Sequence, residues 1–210
     1  ERDKKNNNRH DGFFGSFNLI KDLRKYNFDK IFIFNSSIRY KDNIDIAENL
    51  LLDYSSFEAE NKFRFEHTFN KNGWRINAGL GYEYAKYFNR TYNNITVQGF
   101  PIVIDYESTL GLNKFAIFSQ VSKAYFKEKL SSSFGIRSDF SSYSSSLSNP
   151  IDQLSPSFSL SYRLAESWSV SANLSRYHQL PSYTILGFRN ADGALANRDN
   201  DVKYIRADHA

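Results

Sequence analysis

From Trp74 onward the chain alternates with a period of two. Trp74, Ile76, Ala78, Leu80, Tyr82 and Tyr84 fall on one parity, and Arg75, Asn77, Gly79, Gly81, Glu83 and Ala85 on the other. That pattern predicts a β-strand with one apolar and one polar face. The preceding segment does the same, with Phe63, Phe65, His67 and Phe69 against Lys62, Arg64, Glu66 and Thr68. Asn70-Lys71-Asn72-Gly73 between them predicts a tight hairpin, since Gly accepts φ > 0. The alternation returns at Leu130–Ile136, Phe158–Leu164 and Trp168–Leu174. It is less clean from Asn113 to Phe126, present at Lys30–Tyr40, and weakest at Phe13–Ile20. About eight strands are expected on this pattern.

The predicted connections are lopsided. Short turns fall at Asn70–Gly73, near Lys127–Lys129 and at Ala165–Ser167, while long loops are expected over Lys41–Ser56, Asn93–Leu112, Ser144–Ser155 and from Gln179 onward. Short turns at one end and long loops at the other characterise outer-membrane barrels, whose long loops are extracellular. Both tryptophans, Trp74 and Trp168, directly follow a short turn on the apolar parity, where an amphipathic ring sits at headgroup level. From Trp74, roughly ten residues of tilted strand cover about 25 Å, the height of a barrel's apolar band. Tyr82 and Tyr84 then mark the opposite interface, and Arg176, just beyond Leu174, can snorkel there.

The polar parity is mostly Ser, Gly and Asn, with spaced charges at Arg64, Glu66, Arg75, Glu83, Arg137, Asp139 and Arg163. Such a face suits a wide, wet lumen or contact with an enclosed domain. A solvated sheet face is the plainer alternative.

Composition sharpens the choice. Only 40% of the 210 residues are hydrophobic and mean hydropathy is -0.57, yet Phe 19 and Tyr 14 bring aromatics to 17%. Disordered chains are poor in aromatics, and with Met 0 the chain lacks a helical protein's usual core mixture. Cys 0 excludes disulfides, cysteine-zinc sites and a thiol nucleophile. The net charge of +4 is spread over 27 basic and 23 acidic residues and points to no nucleic-acid partner. No apolar run reaches the ~18 residues of a helical span. The opening ERDKKNNNRHDG lacks a secretory signal's apolar core, so the chain is expected to start after any targeting segment or within a longer protein.

FGIRSDF before a Ser-rich loop, then QLSPSFSLSYRL, SRYHQLPSY and VKYIRADH, follow one another between Lys129 and His209. In that order and spacing they resemble the late barrel of TonB-dependent outer-membrane receptors, especially those of the Bacteroidetes type. The earlier part agrees in style only. The resemblance implies an all-β, antiparallel transmembrane barrel of about 22 strands around an N-terminal plug. It implies import of a scarce nutrient (an iron chelate, cobalamin or a glycan) in the outer membrane of a Gram-negative bacterium, with energy relayed by TonB. Neither a plug nor a TonB box is recognisable here, and the chain ends at Ala210 without an aromatic-terminated strand. Residues 1–210 therefore read as one internal piece of the barrel domain. Its partners would be outer-membrane lipid, the plug and remaining barrel, TonB through the plug, and a surface lipoprotein.

Other chemistry is thinly supported. His10, His67, His178 and His209 lack metal-ligand spacing, and the ordinary reading of His67 is packing at the interface. His178 with Ser175 or Ser182 has no acidic partner or oxyanion donor that can be placed. DGALANRDND lacks calcium-loop spacing. No cofactor, metal or catalytic residue is expected. The candidate ligand contacts lie in the last excursion: Tyr183, Phe188, Arg189, Asn190, Asp192 and Tyr204. The equal alternative is a loop that packs as a rim. A self-contained eight-stranded outer-membrane protein and a soluble carbohydrate-binding β-domain remain the competing readings of the whole.

Overall fold

The computed structural model describes residues 4–6, 9–24, 27–46, 49–190, 192–198 and 205–209. Ten strands form one antiparallel sheet. They are β1 (Lys4–Asn6), β2 (Arg9–Arg24), β3 (Asn27–Ile46), β4 (Asn49–Lys71), β5 (Trp74–Val97), β6 (Phe100–Tyr125), β7 (Leu130–Ser141), β8 (Leu154–Ala165), β9 (Trp168–Gln179) and β10 (Ile205–His209). Two single-turn helices, α1 (Ser145–Ser148) and α2 (Tyr183–Leu186), interrupt the later connections. Consecutive strands pair from β2 to β10, and β1 lies on the same edge of β3 as β2 in continuous register. Among the described residues the β1/β2 edge and β10 do not pair with each other. The sheet is an open section of wall, unlike a closed eight-stranded barrel. Among these residues no helix is long and apolar enough to cross a membrane.

Turn chemistry sets the register. Asn72 and Gly73, with φ 51 and 74, join the paired Lys71 and Trp74 as a two-residue hairpin. At the opposite end Gln98 and Gly99, with φ 51 and 85, join Val97 and Phe100. Two positive φ values in succession match the right-handed strand twist, which explains the Asn-Gly pair. The turn after β6 puts three non-glycine residues, Phe126, Lys127 and Glu128, at φ 54, 54 and 67. Left-handed backbone costs such residues on the order of 1 kcal/mol each. Lys127→Gly should therefore raise stability by about 1 kcal/mol, seen as a later urea midpoint in detergent.

Strand lengths are uneven. β7, β8 and β9 have 12 residues each, whereas β4, β5 and β6 have 23, 24 and 26. The long connections expected over 41–56 and 93–112 are thus mostly strand. The tip at Gln98–Gly99 stands ~40 Å further along the chain direction than the short strands do. The cause is a phase reversal. Near the short turns, the apolar residues Leu80, Phe115, Ile117 and Phe134 lie on the outer parity and are exposed. Beyond Ala85 and Leu112, apolar and aromatic residues occupy the inner parity: Tyr54, Leu52, Ile102, Ile104, Tyr106 and Leu110. There the outer parity carries Asp53, Arg90, Asp105 and Glu107, with Arg90 3.2 Å from Asp105. Each stretch is amphipathic, but the apolar face changes sides within one continuous strand.

Candidate functional site

On the inner face, strand register lines up opposite charges. Lys62 of β4 stands across from Glu83 of β5, which stands across from Lys114 of β6, and Glu60 lies two residues from Lys62. Lys62 Nζ lies 2.6 Å from Glu60 and 3.4 Å from Glu83. Lys114 Nζ contacts Glu83 and sits 3.5 Å from Glu60. Two lysines and two glutamates form a closed ring in which each charge has two opposite neighbours. Its net charge is zero. Glu60, Glu83 and Lys114 are only about one-fifth exposed, so water screens them less than it screens surface pairs.

A phenol caps the ring. The Tyr183 hydroxyl donates to Glu60 Oε1 at 2.5 Å and accepts from Lys114 Nζ at 2.5 Å, and the ammonium lies 5.0 Å from the Tyr183 ring. Burial pushes the Tyr183 hydroxyl's pKa up, and the carboxylates of Glu60 and Glu83 push it further. The phenol therefore stays protonated and keeps donating.

Two inner-parity positions nearer the short turns than Lys114, Phe118 of β6 lies between two guanidinium groups. Arg64 is 4.3 Å and Arg137 6.0 Å from the ring centroid. Arg64 Nε donates to Glu66 at 2.6 Å, and Arg137 holds Asp139 through two bonds of 2.5 and 2.6 Å. Phe118 rests on Gly79, its cross-strand partner. A Cβ at Gly79 would lie 2.5 Å from Phe118 Cζ and collide with the Phe65 carbonyl oxygen. Between this layer and the ring opens a chamber of about 620 Å³, lined by Glu60, Arg64, Lys114, Arg137, Tyr177 and Tyr183 among others.

The chamber's roof is the connection that follows β9, through Leu180, Pro181, Ser182 and Tyr183. Tyr143 and Leu147, beside and within α1, and Tyr183 and Leu186 of α2 pack on Ala85, Tyr87, Leu110 and Leu112. Leu180 and Leu195 pack against this cluster. The Tyr143 hydroxyl donates to the Leu186 carbonyl at 2.7 Å, and Asn197 donates to the Ile185 carbonyl at 2.6 Å. These segments turn inward because the wall's inner face becomes apolar at this height.

The excursion residues are therefore distributed differently from a solvent-facing contact surface. Tyr183 is buried against the wall. Phe188 is half-exposed, with its ring edge-on to Tyr106 at 5.6 Å. Arg189 bonds the Gly193 carbonyl, the Asn190 backbone N–H donates to Ala194, and Asp192 is exposed. Tyr204 lies outside the described residues. Of the inner-parity charges, Arg64, Glu83, Arg137 and Asp139 line the chamber, and Glu66 joins them through Arg64. Arg75 and Arg163 lie apart and exposed near short turns. On the outer parity, Trp74 lies under Lys123 at 4.4 Å and Trp168 is 72% exposed. Tyr82 donates to Asn113 at 2.8 Å, Tyr84 is exposed, and partly exposed Arg176 pairs along the backbone with Asp208.

Sequence reasoning did not single out Glu60, Lys62, Lys114 or Phe118. The available signal was that Glu60 and Lys62 continue the parity of Arg64 and Glu66. Ser155 Oγ lies 2.9 Å from His178 Nδ1, but Ser155 is buried and also bonds the Gln153 carbonyl, a packed rather than a reactive arrangement. Among the described residues no three His, Cys, Asp or Glu side chains cluster as a metal site requires.

The profile described as "TonB dependent receptor-like, beta-barrel" matches residues 2–209. No curated protein matches the sequence. Among solved structures the fold is similar to that of the copper transporter OprC, with a TM-score of 0.63 and 13% identity, covering 90% of this chain and 34% of that one. It is also similar to BauA, the ferric preacinetobactin receptor from Acinetobacter baumannii, with a TM-score of 0.52 and 14% identity, covering 85% of this chain and 32% of that one. The chain thus spans about a third of the length of these solved structures.

Proposed function

The chain belongs to the TonB-dependent receptor β-barrel family, and on that premise we propose that it forms part of the wall of a transporter importing a scarce nutrient. Family members are transporters rather than enzymes and reside in the outer membrane of Gram-negative bacteria, where this wall segment sits. The short turns then lie on the periplasmic side and the uneven tips outside the cell. Trp74 and Trp168 mark the inner interface, and Tyr82, Tyr84 and Arg176 the outer one.

The observation that carries the reading is the two-sided wall. Its outer face is apolar over the membrane band, while its inner face holds a closed ion ring and an arginine–phenylalanine–arginine stack around a chamber. A lumen so lined fits contact with an enclosed plug, through Arg64, Glu66, Arg75, Glu83, Arg137, Asp139 and Arg163. It equally fits passage of a polar cargo when TonB acts on that plug. Phe188, Arg189, Asn190, Asp192 and Tyr204, with Tyr183 below them, would meet cargo at the outer mouth, beside a surface lipoprotein where one is present. The cargo class is an iron chelate, cobalamin or a glycan. A Bacteroidetes origin rests on the run from FGIRSDF to VKYIRADH.

Uptake of ferric chelates, cobalamin and oligosaccharides by cells expressing the full receptor tests this, with and without functional TonB. One of the three should accumulate only when both the receptor and TonB are present. Accumulation that needs the receptor but persists without TonB would show a passive pore instead.

A further inference from the structure

Apolar and polar contacts hold residues 180–190 down on the wall, and the two kinds differ in what opening costs. The apolar contact buries Leu186 completely against the Leu110–Leu112 surface. The polar contact with the ion ring is the Tyr183 hydroxyl between Glu60 and Lys114. The ion ring does not depend on Tyr183. Without the phenol, Lys114 keeps Glu83 and Glu60, and Lys62 keeps Glu60 and Glu83. No charge is stranded when the phenol leaves, so the polar contact can break and reform without the penalty of an unpaired buried ion.

We propose that residues 180–190 are a strap that closes the chamber from the outside and lifts for cargo to pass, with Tyr183 as its latch. This gate is separate from a plug, because it is built from the wall's own chain. It rests on the transport reading above. A raised strap has a surface to lie on, since the inner face continues outward through Ile104 to Ile102 and Ile95, the last two more than one-third exposed.

A thiol beneath the strap reports its position. Ala85 is 1% exposed in the covered cluster, and the sequence has Cys 0, so Ala85→Cys introduces a single small probe into it. In the full receptor on intact cells, with any cysteines outside this sequence replaced, a membrane-impermeant maleimide should label that thiol slowly. Adding Tyr183→Phe should accelerate labelling severalfold, and Leu186→Ala at least as much. Heat-modified mobility on gels checks that each variant is an assembled barrel. Tyr183→Phe removes one oxygen and leaves the ring intact, so it provides the test even where Leu186→Ala fails to assemble. Rapid labelling without a strap substitution, or the same slow rate with Tyr183→Phe, overturns the latch. Uptake measured on the same cells separates the claims. Accelerated labelling with TonB-independent uptake leaves the strap standing and removes the transport reading, and the converse removes the strap alone.

Discussion

Replacing Lys114 with alanine should lower the receptor's unfolding free energy by about 3 kcal/mol, the cost of leaving a largely buried ion uncompensated. Lys114 is the ring member that touches both glutamates and the strap's phenol. Its loss leaves Glu60 and Glu83 sharing Lys62 alone, and it removes the donor that faces Tyr183. Replacing Lys114 and Glu83 together by methionine should recover more than half of that loss, because the remaining Lys62–Glu60 pair is balanced at 2.6 Å. Urea unfolding in detergent at matched pH reads both values. A single variant within about 0.5 kcal/mol of the parent, the scale of an exposed pair, would mean that water screens the ring.

Gly79→Ala should cost about 2–3 kcal/mol, at the upper end of overpacking effects, and reduce the yield of assembled barrel. The added carbon meets a backbone carbonyl as well as the movable Phe118 ring, so a rotamer change alone cannot relieve it. The β4–β5 register has to give, or Phe118 leaves its place between Arg64 and Arg137 and the strand still strains. Gly81→Ala, two residues along the same face, is the matched control. Its Cβ would stand 3.4 Å from the Ala116 Cβ, close to ordinary contact, and should change stability by under about 0.5 kcal/mol. Equal losses at both positions would show that the collision at Gly79 is not the cause.

The membrane-height strands were legible because their chemistry repeats with one phase. Trp74 to Tyr84, Leu130 to Ile136 and Phe158 to Leu164 keep apolar side chains outward throughout, and the turn at Asn72-Gly73 has residues that tolerate its φ values. The outer halves of β3 to β6 were not legible as strands. Phe100, Ile102, Ile104, Tyr106, Leu110 and Leu112 do alternate, but on the parity opposite to Phe115 and Ile117. The slip between Leu112 and Phe115 erases the pattern in any window spanning it. The site was legible only in part for a related reason. Parity assigns Arg64, Glu83 and Arg137 to one face, but it does not say that register sets Glu83 between Lys62 and Lys114. Nor does a segment without periodicity reveal that Tyr183 turns inward. That position follows from a long-range contact with Glu60, 123 residues earlier.

The central claim is that one face of this sheet meets lipid while the other lines a lumen, and neighbouring residues on β6 test it most directly. Nitroxide labels at Ile117→Cys and Ala116→Cys, in the full receptor reconstituted into bilayers, can be relaxed by oxygen from the lipid and by a nickel chelate from water. Ile117 points outward and is 57% exposed, while Ala116 faces the chamber. The label at position 117 should respond strongly to oxygen and scarcely to nickel, and the label at 116 should lack that lipid signature. Strong nickel relaxation with little oxygen response at 117 would place this face in water and contradict the membrane wall.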